Sequence, residues 1–324
     1  MKNSEAKIKK EIIILGLYSI ISGILLLYVL LLPNYFLAGP LLIILLMIFG
    51  NIRGRINLQI NFVQFKKFVF DERTGQFEVA KPVRFFSGNK QHGVLLLHGF
   101  SASPQEFRFL IPLLKEKNIS FYAPRLTGFG LPDLTALKNV QSVQWLRDAL
   151  DAYDLLSQHV EEVSVVGHSM GGLLAVLLAQ QRAVKKLLLS APYLVENENH
   201  SLRKKILKIP LFLSVMRLFL PVVKKSTFEE HSDRLVYHAV PINSIKALWD
   251  LHSFLNFKEI KNHIYLFSGK LDNTSNMKSN EEILSGKNIS FQKYEFEKSG
   301  HNILEGIERE AVANKIVEIL TTEY

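Results

Sequence analysis

The chain has 324 residues, nearly half of them apolar, and a formal net charge of +9 from 39 basic and 30 acidic residues. This length suffices for one large α/β domain with additions or for two domains, and the composition supplies a sizeable core. The absence of cysteine excludes disulfides, thiolate metal sites and cysteine nucleophiles. The basic excess fits nucleic acid, an anionic membrane or no specific partner, but the sequence has no nucleic-acid motif, Walker loop, zinc spacing or internal repeat.

An uncharged apolar run covers residues 12–52. As a helix rising about 1.5 Å per residue it would reach roughly 60 Å, about twice the hydrocarbon core of a bilayer. Pro33–Asn34 interrupts the run, which predicts two transmembrane helices, about residues 12–32 and about 35–50, joined by a tight turn. Gly39–Pro40 would also permit a kinked or re-entrant second segment. A signal peptide fits poorly, because the run is too long and no small-residue cleavage site ends it.

Basic residues flank this predicted hairpin at both ends. Four lysines precede the first span, Arg53 and Arg55 follow the second, and the connecting turn has no charge. The positive-inside rule therefore predicts that both ends lie in the cytoplasm, together with the domain that follows. If only one span forms, that domain lies outside instead. We expect residues 1–55 to form a membrane anchor in contact with membrane lipids and residues 56–324 to form the second domain.

After the anchor, short strands of a meander are predicted at residues 64–70 and 76–80. The unbroken apolar run Gly93–Leu97 predicts a buried strand, which ends at His98–Gly99–Phe100. A strand that ends in this way just before a polar helix start suits a backbone N–H donor to an oxyanion, here the N–H of Phe100. An ordinary strand–loop–helix junction would show the same pattern.

The rest of the chain alternates strand and helix patterns, which predicts a mostly parallel sheet with right-handed crossovers. Strands are predicted at residues 119–124, 163–166, 186–190, 263–269 and 289–296, and helices at 142–159, 173–181 and 305–321. The alternation breaks at about 196–260, where residues 201–225 mix apolar side chains with lysine and arginine. We expect this stretch to form a helical lid over the carboxyl ends of the strands. Its pattern suits a face lying on anionic lipid, and it equally suits an ordinary cap with solvated lysines.

The segment Gly167–His168–Ser169–Met170–Gly171 follows a β-branched run and precedes a leucine-rich helix pattern. This strand, turn and helix around Gly-x-Ser-x-Gly is typical of a nucleophile elbow. The turn must be strained to project the Ser169 hydroxyl, and glycines keep Cβ atoms out of the crowded backbone. The helix start brings the N–H of Met170 beside a developing oxyanion. The alternative is a glycine-rich turn with an incidental serine.

A serine hydroxyl becomes a good nucleophile when an oriented base removes its proton. His301, in a loop after the last strand, is the best candidate for the base, and Asp272, directly after a strand end, is the best candidate to orient it. The chain order serine, aspartate, histidine is that of the α/β-hydrolase fold. Asp250 is a weaker candidate for the acid because it falls in the predicted lid. His98 and His168 flank the site and are predicted to be structural, and the remaining histidines are predicted to be ordinary surface or satisfied side chains.

Four motifs make the chain from about residue 89 onwards resemble α/β-hydrolases of the bacterial carboxylesterase and monoacylglycerol lipase group. They are residues 98–103, 167–172, 269–272 and 299–303. The resemblance implies the α/β-hydrolase fold, with nucleophile Ser169, base His301, acid Asp272 and an oxyanion hole formed by the N–H groups of Phe100 and Met170. Relatives often have Gly-His-Gly where this chain has Gly128–Phe129–Gly130, a departure that concerns substrate alignment and not the triad. The N-terminal spans lie outside the family pattern.

Together these features predict a membrane-anchored serine hydrolase that cleaves carboxylic esters through an acyl-enzyme on Ser169. No cofactor, metal or nucleic-acid partner is expected. The anchor, the basic lid and the apolar composition favour an acyl lipid such as a monoacylglycerol or lysophospholipid. An amidase, thioesterase or acyltransferase would use the same machinery. A different class is a non-catalytic hydrolase-fold module that binds a lipid or a partner.

Overall fold

The computed structural model describes residues 35–195, 209, 216–224 and 233–322. The first predicted transmembrane helix, about 12–32, lies outside the described residues. Most of the cations of the predicted lid lie outside them as well.

The described chain begins with helix α1, Tyr35–Phe65, which contains Pro40. Its 18-residue window Gly39–Ile56 is the one stretch among the described residues that is long and apolar enough to cross a membrane, and 22% of that window is buried. The predicted helix end at Gly50 is wrong, because α1 continues on the surface of the domain. The strand predicted at 64–70 is also wrong, since α1 occupies its beginning.

The strands of the described chain are short and mostly match the apolar runs of the sequence. They are β1 Phe70–Asp71, β2 Gln76–Phe77, β3 Val83–Phe85, β4 His92–Leu97, β5 Ser120–Ala123, β6 Glu162–His168, β7 Leu187–Ser190, β8 Val222–Lys224, β9 Ala239–Pro241, β10 Ile264–Gly269 and β11 Phe291–Phe296. The helices after α1 are α2 Leu110–Glu116, α3 Thr135–Asn139, α4 Ser142–Ser157, α5 Met170–Ala179, α6 Ile242–Asp250, α7 Met277–Gly286 and α8 Arg309–Thr321.

Seven of these strands form one sheet in the order β11-β10-β7-β6-β4-β5-β3. The first six are parallel, and β3 pairs antiparallel with β5 at the edge. Parallel strands need helical crossovers, so helices cover both faces of the sheet. The inner strands β4, β7 and β10 are mostly apolar and buried, whereas the edge strand β11 also carries exposed polar side chains. Buried side chains of α4 and α5 pack on one face, and those of α2 and α8 pack on the other. The predicted mostly parallel α/β architecture is confirmed.

The region predicted to be a helical lid contains β-strands as well as a helix. Within its described residues, β8 and β9 pair antiparallel and α6 follows β9 directly. Helix α1 packs against this small sheet: the side chain of Asn61 accepts the N–H groups of His238 and Ala239 and donates to the Ala239 carbonyl at 2.7 Å. A purely helical lid is therefore wrong for the described part, because strand pairing satisfies its backbone beside α1.

Candidate active site

Ser169 lies between the end of β6 and the start of α5, with φ = 52° and ψ = −114°. The crowding around it explains the flanking glycines. A Cβ on Gly167 would lie 2.3 Å from the carbonyl oxygen of Gly171, and a Cβ on Gly171 would lie 1.9 Å from the carbonyl oxygen of Leu97. No side chain fits at either position, so the sharp turn that exposes the serine hydroxyl requires glycine there.

The side chains of Ser169, His301 and Asp272 form a continuous hydrogen-bonded chain. The Ser169 Oγ lies 3.0 Å from the Nε2 of His301. The Nδ1 of the same imidazole lies 2.9 Å from Asp272 Oδ2. The aspartate side chain is 1% exposed and that of the histidine 15%. This arrangement can transfer the serine proton to the imidazole while a buried carboxylate holds the ring.

The Asp272 carboxylate is held by backbone as well as by His301. Its Oδ1 accepts the N–H groups of Thr274 at 2.7 Å and Ser275 at 3.0 Å. Burial raises the pKa of Asp272, but the hydrogen bond with His301, its charge and the two backbone donors outweigh burial, so the pKa lies below its usual value. The group is therefore ionised at neutral pH, as an orienting carboxylate must be.

Ser275 is a further contact to the imidazole that the sequence analysis did not identify. Its hydroxyl donates to the carbonyl of Ala191 at 2.8 Å, and its Oγ lies 3.2 Å from the Nδ1 of His301. The Ser275 oxygen is thus held beside the Nδ1–H of His301 as a second acceptor, next to Asp272. No sequence signal marks this role, because a serine three residues after an acidic residue is common in turns.

A cavity of about 240 Å³ opens beside the serine. Phe100 and Met170 line it together with Ser169 and His301. No acceptor among the described residues takes the backbone N–H of Phe100 or Met170. Two N–H groups without a protein acceptor, in one cavity with the serine hydroxyl, are the donor set that an oxyanion hole requires.

The two histidines that flank the site are buried and neutral. His98 accepts the N–H of Leu126 at Nε2 and its Nδ1 lies 2.9 Å from the Gly99 carbonyl. The Nδ1 of His168 lies 3.1 Å from Ser190 Oγ. Burial lowers the pKa of each to about 4. Each ring is hydrogen-bonded to the backbone or to a neighbouring side chain, in agreement with the structural role expected for both histidines.

Three further residues that the sequence analysis considered have other positions in the structure. Asp250 forms an ion pair with Lys246 on α6. Phe129, which replaces the histidine common in relatives, is buried, with its ring stacked on Trp145 and edge-on to Phe100. Its ring thus packs against the loop of residues 98–103 that carries Phe100, called the oxyanion loop below. His238, read as an ordinary histidine, lines the cavity.

Comparison with known proteins gives one consistent family. A family model described as alpha/beta hydrolase matches residues 94–314. A carboxylesterase of Bacillus subtilis is 27% identical over 249 residues, covering 74% of this chain and 96% of its own length. A thermostable monoacylglycerol lipase of a Bacillus species is 31% identical over 96 residues, which are 30% of this chain and 38% of the lipase.

Solved structures agree on the fold. One from work on the metagenome-derived lipolytic enzymes LipS and LipT superimposes with a TM-score of 0.64 at 21% identity, covering 75% of this chain and 98% of that one. A thermostable carboxyl esterase of Bacillus coagulans gives a TM-score of 0.55 at 13% identity, with 74% and 97% covered. At these identities the likeness concerns the fold.

Proposed function

This chain belongs to the alpha/beta hydrolase family, and we propose that it is a membrane-anchored serine hydrolase that cleaves carboxylic esters. The observation that carries the proposal is the hydrogen-bonded chain from Ser169 through His301 to Asp272 beside two free N–H groups. Its relatives in the comparisons are esterases and lipases. The chain is accordingly an enzyme of the carboxylic ester hydrolase class.

The proposed reaction proceeds through an acyl-enzyme. His301 accepts the proton of Ser169 as the oxygen attacks the ester carbonyl, and then donates it to the departing alkoxide. The N–H groups of Phe100 and Met170 stabilise the negative oxygen of each tetrahedral intermediate. Water activated by His301 then releases the carboxylic acid and restores the serine. Asp272 keeps the ring oriented in both half-reactions.

We propose an acyl lipid, such as a monoacylglycerol or lysophospholipid, as the substrate. Support comes from α1, whose apolar side chains are exposed over much of its first half. The exposed members are Leu42, Ile43, Ile44, Leu46 and Phe49. Such a surface suits hydrocarbon, and it would hold the cavity near a membrane. In this proposal residues 196–260 form the lid, since Val236 and Leu248 from that stretch line the cavity.

The test is labelling of the full chain in membrane fractions with a fluorophosphonate probe, wild type beside Ser169→Ala. Ester turnover should fall by about 10⁴-fold or more in the variant, because members of such a triad act as a unit. Labelling that disappears with Ser169 supports the proposal. Equal labelling or equal turnover in folded Ser169→Ala would refute it, and a panel of ester, thioester and amide substrates then assigns the bond that is cleaved.

A further inference from the structure

A buried carboxylate that this mechanism does not use lies beside the loop that carries Phe100. Glu106 is 2% exposed and belongs to a short 3₁₀ turn, Pro104–Phe107. Its Oε2 accepts the N–H of Gly99 at 2.8 Å, and its Oε1 accepts from the Nη2 of Arg234 at 2.5 Å. The same Oε1 lies 3.8 Å from the Nε2 of His168, the residue before the nucleophile. A buried charge is stable only with such partners.

The contacts around Gly99 determine the direction of the Phe100 N–H. The carbonyl of Gly99 accepts from the N–H of Ala102 at 3.2 Å, and its oxygen lies 2.9 Å from His98 Nδ1. In a trans peptide the C=O and the N–H point in opposite directions, so a fixed Gly99 carbonyl aims the N–H of Phe100 the other way. Glu106 holds the preceding peptide through the N–H of Gly99. Both peptide groups around Gly99 are therefore fixed.

The arginine that neutralises Glu106 comes from residues 233–237, a distant segment that packs against the loop carrying Phe100. The Gln105 side chain accepts the N–H of Leu235 at 2.9 Å. The N–H of Tyr237 donates to the Ser101 carbonyl at 3.0 Å. Together with the ion pair between Glu106 and Arg234, these contacts join residues 233–237 to residues 101–106. The oxyanion loop and this distant segment form one hydrogen-bonded unit.

We propose that Glu106 is a positioning residue for ester hydrolysis: it acts through Gly99 to hold the Phe100 N–H in the oxyanion hole, and Arg234 keeps it charged and in place. The inference rests on the proposed function. The donors of an oxyanion hole make their full hydrogen bonds only to the tetrahedral state. Loss of one donor therefore lowers kcat and leaves KM nearly unchanged.

The experiment uses Glu106→Gln in the full chain in detergent micelles. The amide has one oxygen and one NH₂ group, so it cannot accept from both Gly99 and Arg234. With a soluble ester, kcat should fall about 10- to 100-fold while KM stays within about two-fold. The inhibition constant of phenylboronic acid should rise by the same factor, because its tetrahedral adduct with Ser169 places an oxygen in the hole.

Glu305→Gln is the matched control. Its side chain is fully buried, with Oε2 3.0 Å from the Nη2 of Arg108 and 4.0 Å from the Nε of Arg234. Within the part of the chain that the structure describes, its carboxylate has no hydrogen bond or ion pair with residues 98–106, so both constants should stay within about two-fold of wild type. The double variant Glu106→Leu/Arg234→Met removes both charges together and leaves no unpaired buried ion. It should fold and still show the low kcat, since Gly99 has lost its acceptor.

Several outcomes overturn the inference. Folded Glu106→Gln, or the folded double variant, that keeps the kcat and the boronate affinity of wild type overturns it. A fall in kcat without a matching fall in boronate affinity places the loss outside the oxyanion hole and also contradicts it. An equal loss in Glu305→Gln assigns the effect to buried charge in general. Wild-type protein that neither hydrolyses esters nor shows labelling dependent on Ser169 would overturn the proposed function and this inference together.

Discussion

Three residues at or near the active site have strained backbone conformations. Ser169, Ala191 and Ser101 all have positive φ, at 52°, 42° and 66°. Such conformations cost about 1–3 kcal/mol each in residues other than glycine and persist only where the surroundings hold them. Here the N–H of Ser169 donates to Ser190 and that of Ala191 donates to Phe267, both carbonyls of neighbouring strands. The sheet therefore holds the strain that exposes the serine hydroxyl.

Also at the scale of one residue, Glu305 couples stability to pH. Burial raises its pKa to about 7, against the opposing charges of Arg234 and Arg108. Between its unfolded value of 4.5 and about 7, the folded chain holds a proton that the unfolded chain has lost. Stability therefore falls as pH rises through this window.

Glu305→Gln should remove that dependence. Relative to wild type, the variant should gain on the order of 2 kcal/mol in unfolding free energy between pH 5 and pH 8. Thermal unfolding in detergent at the two pH values measures the difference. Glu297→Gln, an exposed carboxylate paired with Lys270, controls for the change of carboxylate to amide. A stability difference between Glu305→Gln and wild type that does not change with pH would contradict the prediction.

At the scale of elements, neighbouring parallel strands bring the site together. Leu97 of β4 pairs with Gly167 of β6, so the loops that carry Phe100 and Met170 leave the sheet side by side. Strands β10 and β11 are also adjacent and parallel, and they end just before Asp272 and His301. The carboxyl ends of parallel strands share one edge, which is where such folds place their ligands.

Helix α1 meets the domain through two glycines one helical turn apart. A Cβ on Gly50 would lie 1.6 Å from the carbonyl oxygen of Phe219, and a Cβ on Gly54 would lie 3.1 Å from Pro221 Cγ. The Asn51 side chain donates to the Leu218 carbonyl at 3.2 Å beside them. Small residues at this spacing let the helix backbone approach residues 218–222 closely.

Gly50→Ala should therefore destabilise the chain by about 2 kcal/mol or more, although alanine favours helix by about 1 kcal/mol. Gly39→Ala is the matched control on the same helix, because nothing lies within 4 Å of the added Cβ. It should be neutral or slightly stabilising. Thermal unfolding in detergent micelles compares the two. Equal stability of the two variants would show that α1 does not dock through Gly50.

At the scale of the whole molecule, the positive-inside rule predicts that the hydrolase domain lies on the cytoplasmic side if both apolar segments span the membrane. The chain has no cysteine, so a single Lys90→Cys substitution on the exposed surface is a clean probe. A membrane-impermeant maleimide should label it only after intact cells are permeabilised. Labelling of intact cells would instead indicate one span and an external domain. The cysteine-free parent measures background.

Much of the fold was predictable because its signals are local. Unbroken apolar runs mark buried parallel strands such as Gly93–Leu97, and glycine spacing around Ser169 marks a turn that only glycine permits. The expected positions of Asp272 and His301 depended on motif order in the chain. In the structure, the His301 ring lies within hydrogen-bonding distance of Asp272 on one side and of Ser169 on the other.

The sequence by itself determined the parallel α/β architecture, because periodicity and glycine placement are properties of short segments. Only the tertiary structure decided where α1 ends and what surrounds the oxyanion loop. Helix α1 continues past Gly50 because its second half packs on β8 and β9, a surface that no local pattern reveals. Glu106 meets Arg234 across 128 positions of sequence. Contacts between such distant residues exist only once the chain has folded, and burial of the Glu106 charge requires Arg234 beside it.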